Sequence, residues 1–183
     1  MAVSELDDSC AQFAAFQAQA EELTAGLDEA RFNWRPAPNQ WSIEECLAHL
    51  IIVGQRQIPA LETAIQHARE CGWTGDGPFS YGPVERFVLD LAKPPVRNPL
   101  SAPARFRPLH GQPVTGVLPT FLHLQSQFRL QAEAARGLDL RRVKVPTPRS
   151  RFLRMSLGMT FAIAAAHERR HMEQAKRVRD LLG

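Results

Sequence analysis

His167-Glu168-Arg169-Arg170-His171, within the run from Ala166 to Ala175, decides how this chain is read. Two histidines four apart on a helix lie roughly 40° apart around the axis and one turn apart along it, so both rings can reach one ion. The five residues also fit H-E-x-x-H, the zinc-protease pattern in which the glutamate is the general base. Those enzymes take their third ligand downstream. The extended pattern asks for a glycine and then a histidine where this sequence has Gln174 and Arg177. The protease reading therefore fails, and a third ligand is expected upstream.

The helical register supports an inward-facing pair. At about 100° per residue, Thr160, Ile163, Ala164, His171, Gln174, Val178, Leu181 and Leu182 fall within about 60° of His167. Arg169, Glu173, Lys176 and Asp180 fall on the opposite side. Imidazoles on an apolar stripe need partners for their ring nitrogens. A metal ion meets that need; so does a pair of core histidines bonded to backbone or carboxylate.

The best upstream ligand lies in Trp41-Ser42-Ile43-Glu44-Glu45-Cys46-Leu47-Ala48-His49-Leu50. Ser42 followed by Glu45 is a capping box, with Trp41 placed to staple onto Cys46. Pro36, Pro38 and Asn39 just before it agree with a turn entering a helix. His49 falls at the border of a broad apolar arc, which suits a group lining a cavity. Glu45, one turn earlier, has two competing uses: orienting the His49 ring, or closing the capping box.

The segment from Trp34 to Leu50, with the terminal Ala166 to Ala175, resembles the DinB-like superfamily. The resemblance is specific at these two motifs and vague between them. It implies a four-helix bundle with a divalent metal, often zinc or nickel, held by three histidines, one from the second helix and two from the last. Carried over by motif, the ligands are His49, His167 and His171. It also implies thiol-dependent transferase or isomerase chemistry with low-molecular-weight thiols in some members, and homodimerisation through helices. The substrate stays open.

Length and composition agree. A chain of 183 residues is one domain of ordinary size, read as a single unit over residues 1–183 and able to bury a full core. Cys10, Cys46 and Cys71 have no paired spacing, which argues against a disulfide framework and for a reducing compartment. Cys10 and Cys46 lie in apolar helical patterns and read as buried inert thiols, with Cys71 more exposed. The acidic N-terminus lacks the basic start and apolar run of a signal peptide, and no apolar run approaches the roughly 20 residues of a membrane span. The expectation is a soluble cytoplasmic protein.

The fold class read from the pattern is all-α, a four-helix bundle with a long crossover loop between the second and third helices. Leu6, Cys10, Phe13, Phe16, Ala20, Leu23 and Leu27 repeat at steps of three and four in the first helix. Arg31 to Gln40 forms a turn. The second helix runs from Ser42 to about Glu70, with a bend expected from Gly54 and Pro59. The third spans about Leu118 to Arg136 with Gly137 as its stop, and the fourth begins near Ser156. No segment shows strand alternation.

The crossover between Gly72 and Val117 carries Trp73, Phe79, Tyr81 and Phe106, which either cover the bundle mouth or seal the crossover against the outside. Pro83 to Ala92 reads as a short helix with Pro83 at its first position. His123 should be solvated. His67 lies about 27 Å along the helix from His49, too far for one ion. His110, in the loop beside Gly111, has no fixed reach.

Net charge is +3, unevenly placed. Arg141, Arg142, Lys144, Arg149, Arg151 and Arg154 form a run without an acid, read as a solvated linker. Nucleic-acid binding wants interleaved aromatics, and Phe152 alone does not supply them, so no nucleic-acid partner is expected. A small anionic ligand, a carboxylate or thiol cofactor, fits better if the run lies at the site.

Three neutral imidazoles leave a bound ion its charge and leave positions open to water or thiol. Glu168, about 60° around the helix from His171, is the nearby carboxylate that can take a proton, or else a surface ion-pair partner. Gln174 is placed to bond a water or ligand. The function expected is a metal-dependent hydrolase or thiol-dependent transferase acting on a small anionic or electrophilic molecule. The alternative is a non-catalytic stress or binding protein whose metal pins the second and fourth helices together.

Overall fold

The structure, a computed structural model, describes residues 5–94 and 102–183 without the side chain of Arg151. Residues 1–4 of the acidic N-terminus, residues 95–101 of the crossover and that one member of the basic run lie outside the described residues. The described chain is mostly helical, with one small sheet. Its elements in order are α1 (Glu5–Thr24), α2 (Glu29–Phe32), α3 (Ile43–Glu70), α4 (Pro83–Ala92), a 3-10 turn (Ala104–Phe106), α5 (Val114–Ala134), β1 (Lys144–Thr147), β2 (Ser150–Ser156) and α6 (Leu157–Leu181).

Four long helices share one core. Both α1 and α3 pack against α5 and against α6. Phe13 of α1 stacks on Phe128 of α5 with ring centroids 4.7 Å apart and planes 10° from parallel. Such a pair adds about 0.5–1.5 kcal/mol beyond the burial of its area. Gly54 lets α3 approach α5 closely: a Cβ there would lie 2.5 Å from Cδ2 of Leu124.

The start of α3 follows its sequence signal. Glu45 N–H donates to Ser42 Oγ at 3.1 Å, and Ser42 N–H donates to the Glu45 carboxylate at 3.0 Å, closing the capping box. The helix then runs unbroken through Pro59 to Glu70. Gly72, at φ +63°, turns the chain out of it. Pro83 opens α4, which packs along α6.

Two elements depart from expectation. The third long helix begins at Val114 rather than about Leu118, because the Glu29 carboxylate accepts the Val114 N–H at 3.1 and 3.2 Å. A cap brought from a distant helix leaves no local motif. The second departure is strand structure: residues expected to form a linker pair as an antiparallel hairpin, Val145 opposite Met155 and Lys144 opposite Ser156. Alternation is present but brief. Val143, Val145 and Met155 are buried, whereas Lys144 and Arg154 are exposed. Three inward side chains, with Pro146 in the first strand, are too few to register as a pattern. Of the basic run, Lys144 and Arg154 lie exposed on the hairpin strands and Arg149 at their turn, and counter-charge comes from elsewhere: Lys144 lies 3.5 Å from Glu85. Arg142 rests over the Trp73 ring at 4.6 Å.

Among the described residues no helix is long and apolar enough to cross a membrane. All three cysteines are free. Cys46 is buried and its thiol pushed up by burial. Cys10, expected to be buried, is half-exposed, with Sγ 3.5 Å from the Glu133 carboxylate.

Candidate metal centre

The packing of α3 on α6 brings His49, His167 and His171 together in the wall of a cavity. One ring nitrogen from each lies within 4.8 Å of the other two. The Nε2 atoms of His49 and His167 are 3.3 Å apart. The His171 ring centroid lies 4.7 Å from each of the other two. Trp41, half-buried at the entry to α3, covers the cluster, 4.9 Å from the His49 ring and 5.6 Å from the His171 ring.

The outer nitrogens of two of the rings are held. The Phe106 carbonyl lies 2.7 Å from His49 Nδ1, and the Gln174 side-chain oxygen lies 3.1 Å from His171 Nδ1. A carbonyl oxygen only accepts, so each Nδ1 carries the proton and each Nε2 presents a lone pair. Burial, with the charges of neighbouring groups adding to it, keeps all three rings from protonating. His167 is pushed down to about 3. Three neutral imidazoles with converging lone pairs are the donor set a divalent ion of the zinc class takes. Separation agrees as well: two nitrogens at about 2.0–2.1 Å from a tetrahedral ion stand about 3.3 Å apart.

Beyond the cluster the cavity extends to about 650 Å³. Its walls are Val53 and Gln57 of α3, Val88 and Leu91 of α4, Phe106, Met155 of the hairpin and Ile163 of α6, with Arg149 and Arg170 also lining it. That volume suits a small organic molecule.

A family model of the DinB superfamily matches residues 12–175. The chain belongs to the DinB superfamily. No curated protein and no solved structure matches it.

In this DinB chain much of the stripe read as core-facing is cavity wall, lined by Thr160, Ile163, Ala164, His167, His171 and Gln174, whereas Val178 lies in the core. The core stripe of α6 runs one position further round, through Phe161, Ala165, Met172 and Ala175, and it includes Glu168. Glu168 is only 3 % exposed and its Oε2 has no hydrogen-bond partner. Burial pushes its carboxyl up to about 8, opposed by the nearby Gln125 amide of α5. A surface ion pair, one of its expected roles, is excluded by this burial. The spacing of Phe161, Ala165, Met172 and Ala175 around it was the available signal.

Glu45 closes its capping box and pairs with Arg35, and His110 Nδ1 stands 3.6 Å from its Oε2. The oxygen on the His49 ring belongs to Phe106 instead, which sequence reasoning could not single out because any residue supplies a carbonyl. Gln174 lines the cavity and bonds the His171 ring through its side-chain oxygen. His110 stays outside the three-histidine cluster, His123 is exposed as expected, and His67 sits beside Cys71 and Trp73. The crossover aromatics divide. Phe106 lines the cavity, whereas Tyr81 bonds Glu5 and lies against Gly158.

Proposed function

We propose that this DinB-superfamily protein is a metal-dependent enzyme whose divalent ion, zinc or nickel, is held by His49, His167 and His171. The observation that carries the reading is the convergence of one ring nitrogen from each of the three histidines within 4.8 Å, with the His49 and His171 rings oriented from behind. When bound, an ion held by three neutral imidazoles supplies Lewis-acid chemistry that acidifies a water or a thiol at neutral pH. The reaction class is hydrolysis or transfer using a low-molecular-weight thiol, on a small anionic or electrophilic molecule.

The chain's own residues do the rest. Phe106 and Gln174 orient the rings, and Trp41 shields them from bulk water. Glu168, beside the cluster with an unpartnered Oε2, is the group placed to hold or move a proton. The four long helices form a four-helix bundle in one domain over residues 1–183, assembled as a homodimer in the cytoplasm.

A second reading, a non-catalytic stress or binding protein, rests on the site joining α3 to α6: an ion there would pin the two helices together. The cavity favours the first reading, since a purely structural ion needs no 650 Å³ chamber beside it. Visible spectra of cobalt-loaded protein separate the two. Enzymatic use predicts spectral change on adding azide or 2-mercaptoethanol, with the fold retained after metal removal. An unresponsive spectrum and unfolding on chelation would establish the structural role.

A further inference from the structure

Arg170 is unlike the other charged groups near the cluster. It is half-buried on α6 and lines the cavity between His167 and His171 in sequence. Its charge bears on all three histidine rings. Among the described residues its protein acceptor is the Leu91 carbonyl at the end of α4, at a long 3.4 Å, and no carboxylate lies within ion-pair distance of it. The guanidinium therefore keeps most of its N–H donors without a protein acceptor, at the wall of a largely apolar chamber. A cation taken partly out of water without a partner is costly, and the cost is recovered when an anion joins it.

The charge balance of the chamber points the same way. Arg149, on the hairpin turn, is a second arginine of the lining. The one acid among the lining residues, Glu168, is buried on the core side and forms no ion pair with either arginine. A divalent ion on the histidines would only add positive charge. Most of the remaining wall is apolar (Val53, Val88, Leu91, Phe106, Met155 and Ile163), and its other polar residues, such as Gln57 and Thr160, carry no charge.

We infer that the cavity takes an amphipathic anion, its apolar body against α4 and the hairpin and its oxyanion head gripped by the Arg170 fork beside the histidine cluster. Arginine matches a carboxylate and a phosphoryl group equally, through paired N–H donors. The inference rests on the cavity being the substrate site proposed above.

Calorimetric titration of the full chain, both zinc-loaded and metal-stripped, with octanoate, octyl phosphate and octan-1-ol tests it. Both anions should bind at least about 10-fold more tightly than the alcohol, and their relative affinity tells a carboxylate site from a phosphoryl site. Arg170→Gln should lower anion affinity about 10- to 100-fold and leave octan-1-ol unchanged. Arg170→Lys, which keeps the charge and loses the fork, should fall between, and it carries the test if Arg170→Gln does not fold. Binding of the alcohol as tight as that of the anions, binding of no probe, or anion affinity indifferent to Arg170 would each overturn the inference. Zinc uptake in the same samples keeps the two readings apart. Anion preference without zinc uptake contradicts the metal site alone, and zinc uptake without anion preference contradicts the anion site alone.

Discussion

His49 and His167 are 118 residues apart in the chain, yet their Nε2 atoms face each other at 3.3 Å. Two helix motifs at opposite ends of the chain thus converge on one point because α3 and α6 are packed neighbours. The arrangement has consequences for the residues behind the rings, for the buried charges and for the close helix contacts, each open to measurement.

Gln174 holds the proton-bearing side of the His171 ring. Gln174→Leu should leave the fold intact and weaken zinc binding about 10- to 100-fold, the usual cost of losing a partner behind a ligating histidine. Competition with a chromogenic chelator measures it. Unchanged zinc affinity would show that the Gln174 contact does not orient the ring.

Glu44, in the first turn of α3, is fully buried. Burial first, and the neighbouring Glu45 second, push its carboxyl up from the usual carboxylate range to about 7, opposed by the Gly111 backbone. A folded-state value above the unfolded one means that the fold favours the protonated form. Its contribution is complete below about pH 4.5 and is lost as pH rises through about 7. Glu44→Gln should therefore flatten the pH dependence of stability between those limits, by up to about 3 kcal/mol at pH 8 relative to pH 4.5. Urea melts across that range read the slope, and parallel curves for variant and wild type would refute the assignment.

Gly54 and Leu124 are in contact across α3 and α5, with room for no Cβ on the glycine. Gly54→Ala should destabilise by about 1–3 kcal/mol despite the better helix propensity of alanine. In Leu124→Ala, which clears the space, the same change should cost nothing or stabilise. Additive effects in the double-mutant cycle would contradict the close approach.

Much of the site was legible before the fold was known. Ser42 and Glu45 announce the start of α3, and helical geometry alone puts His167 and His171 on one face. Other parts are held by interactions that have no sequence signature. The Phe106 carbonyl on His49 is backbone chemistry delivered by the crossover. The Val114 cap belongs to Glu29, 85 residues away. Trp41 was read as a local staple because its ring contacts lie on α6 as well as α3. Glu168 was placed at the edge of a core stripe because cavity wall and core stripe on α6 are adjacent, and apolar residues line both. The hairpin leaves little alternation in the sequence because its inward side chains are few and Pro146 interrupts the first strand.

The most direct test of the central claim is metal content, by mass spectrometry on protein purified without a metal-affinity tag, for wild type, His49→Ala and His171→Ala. The account predicts about one zinc or nickel per chain in the wild type and its loss in both variants, with helical content preserved. A wild-type protein that holds no metal and stays empty after reconstitution would contradict it. The three imidazoles would then be a buried hydrogen-bonded cluster lining a metal-free cavity.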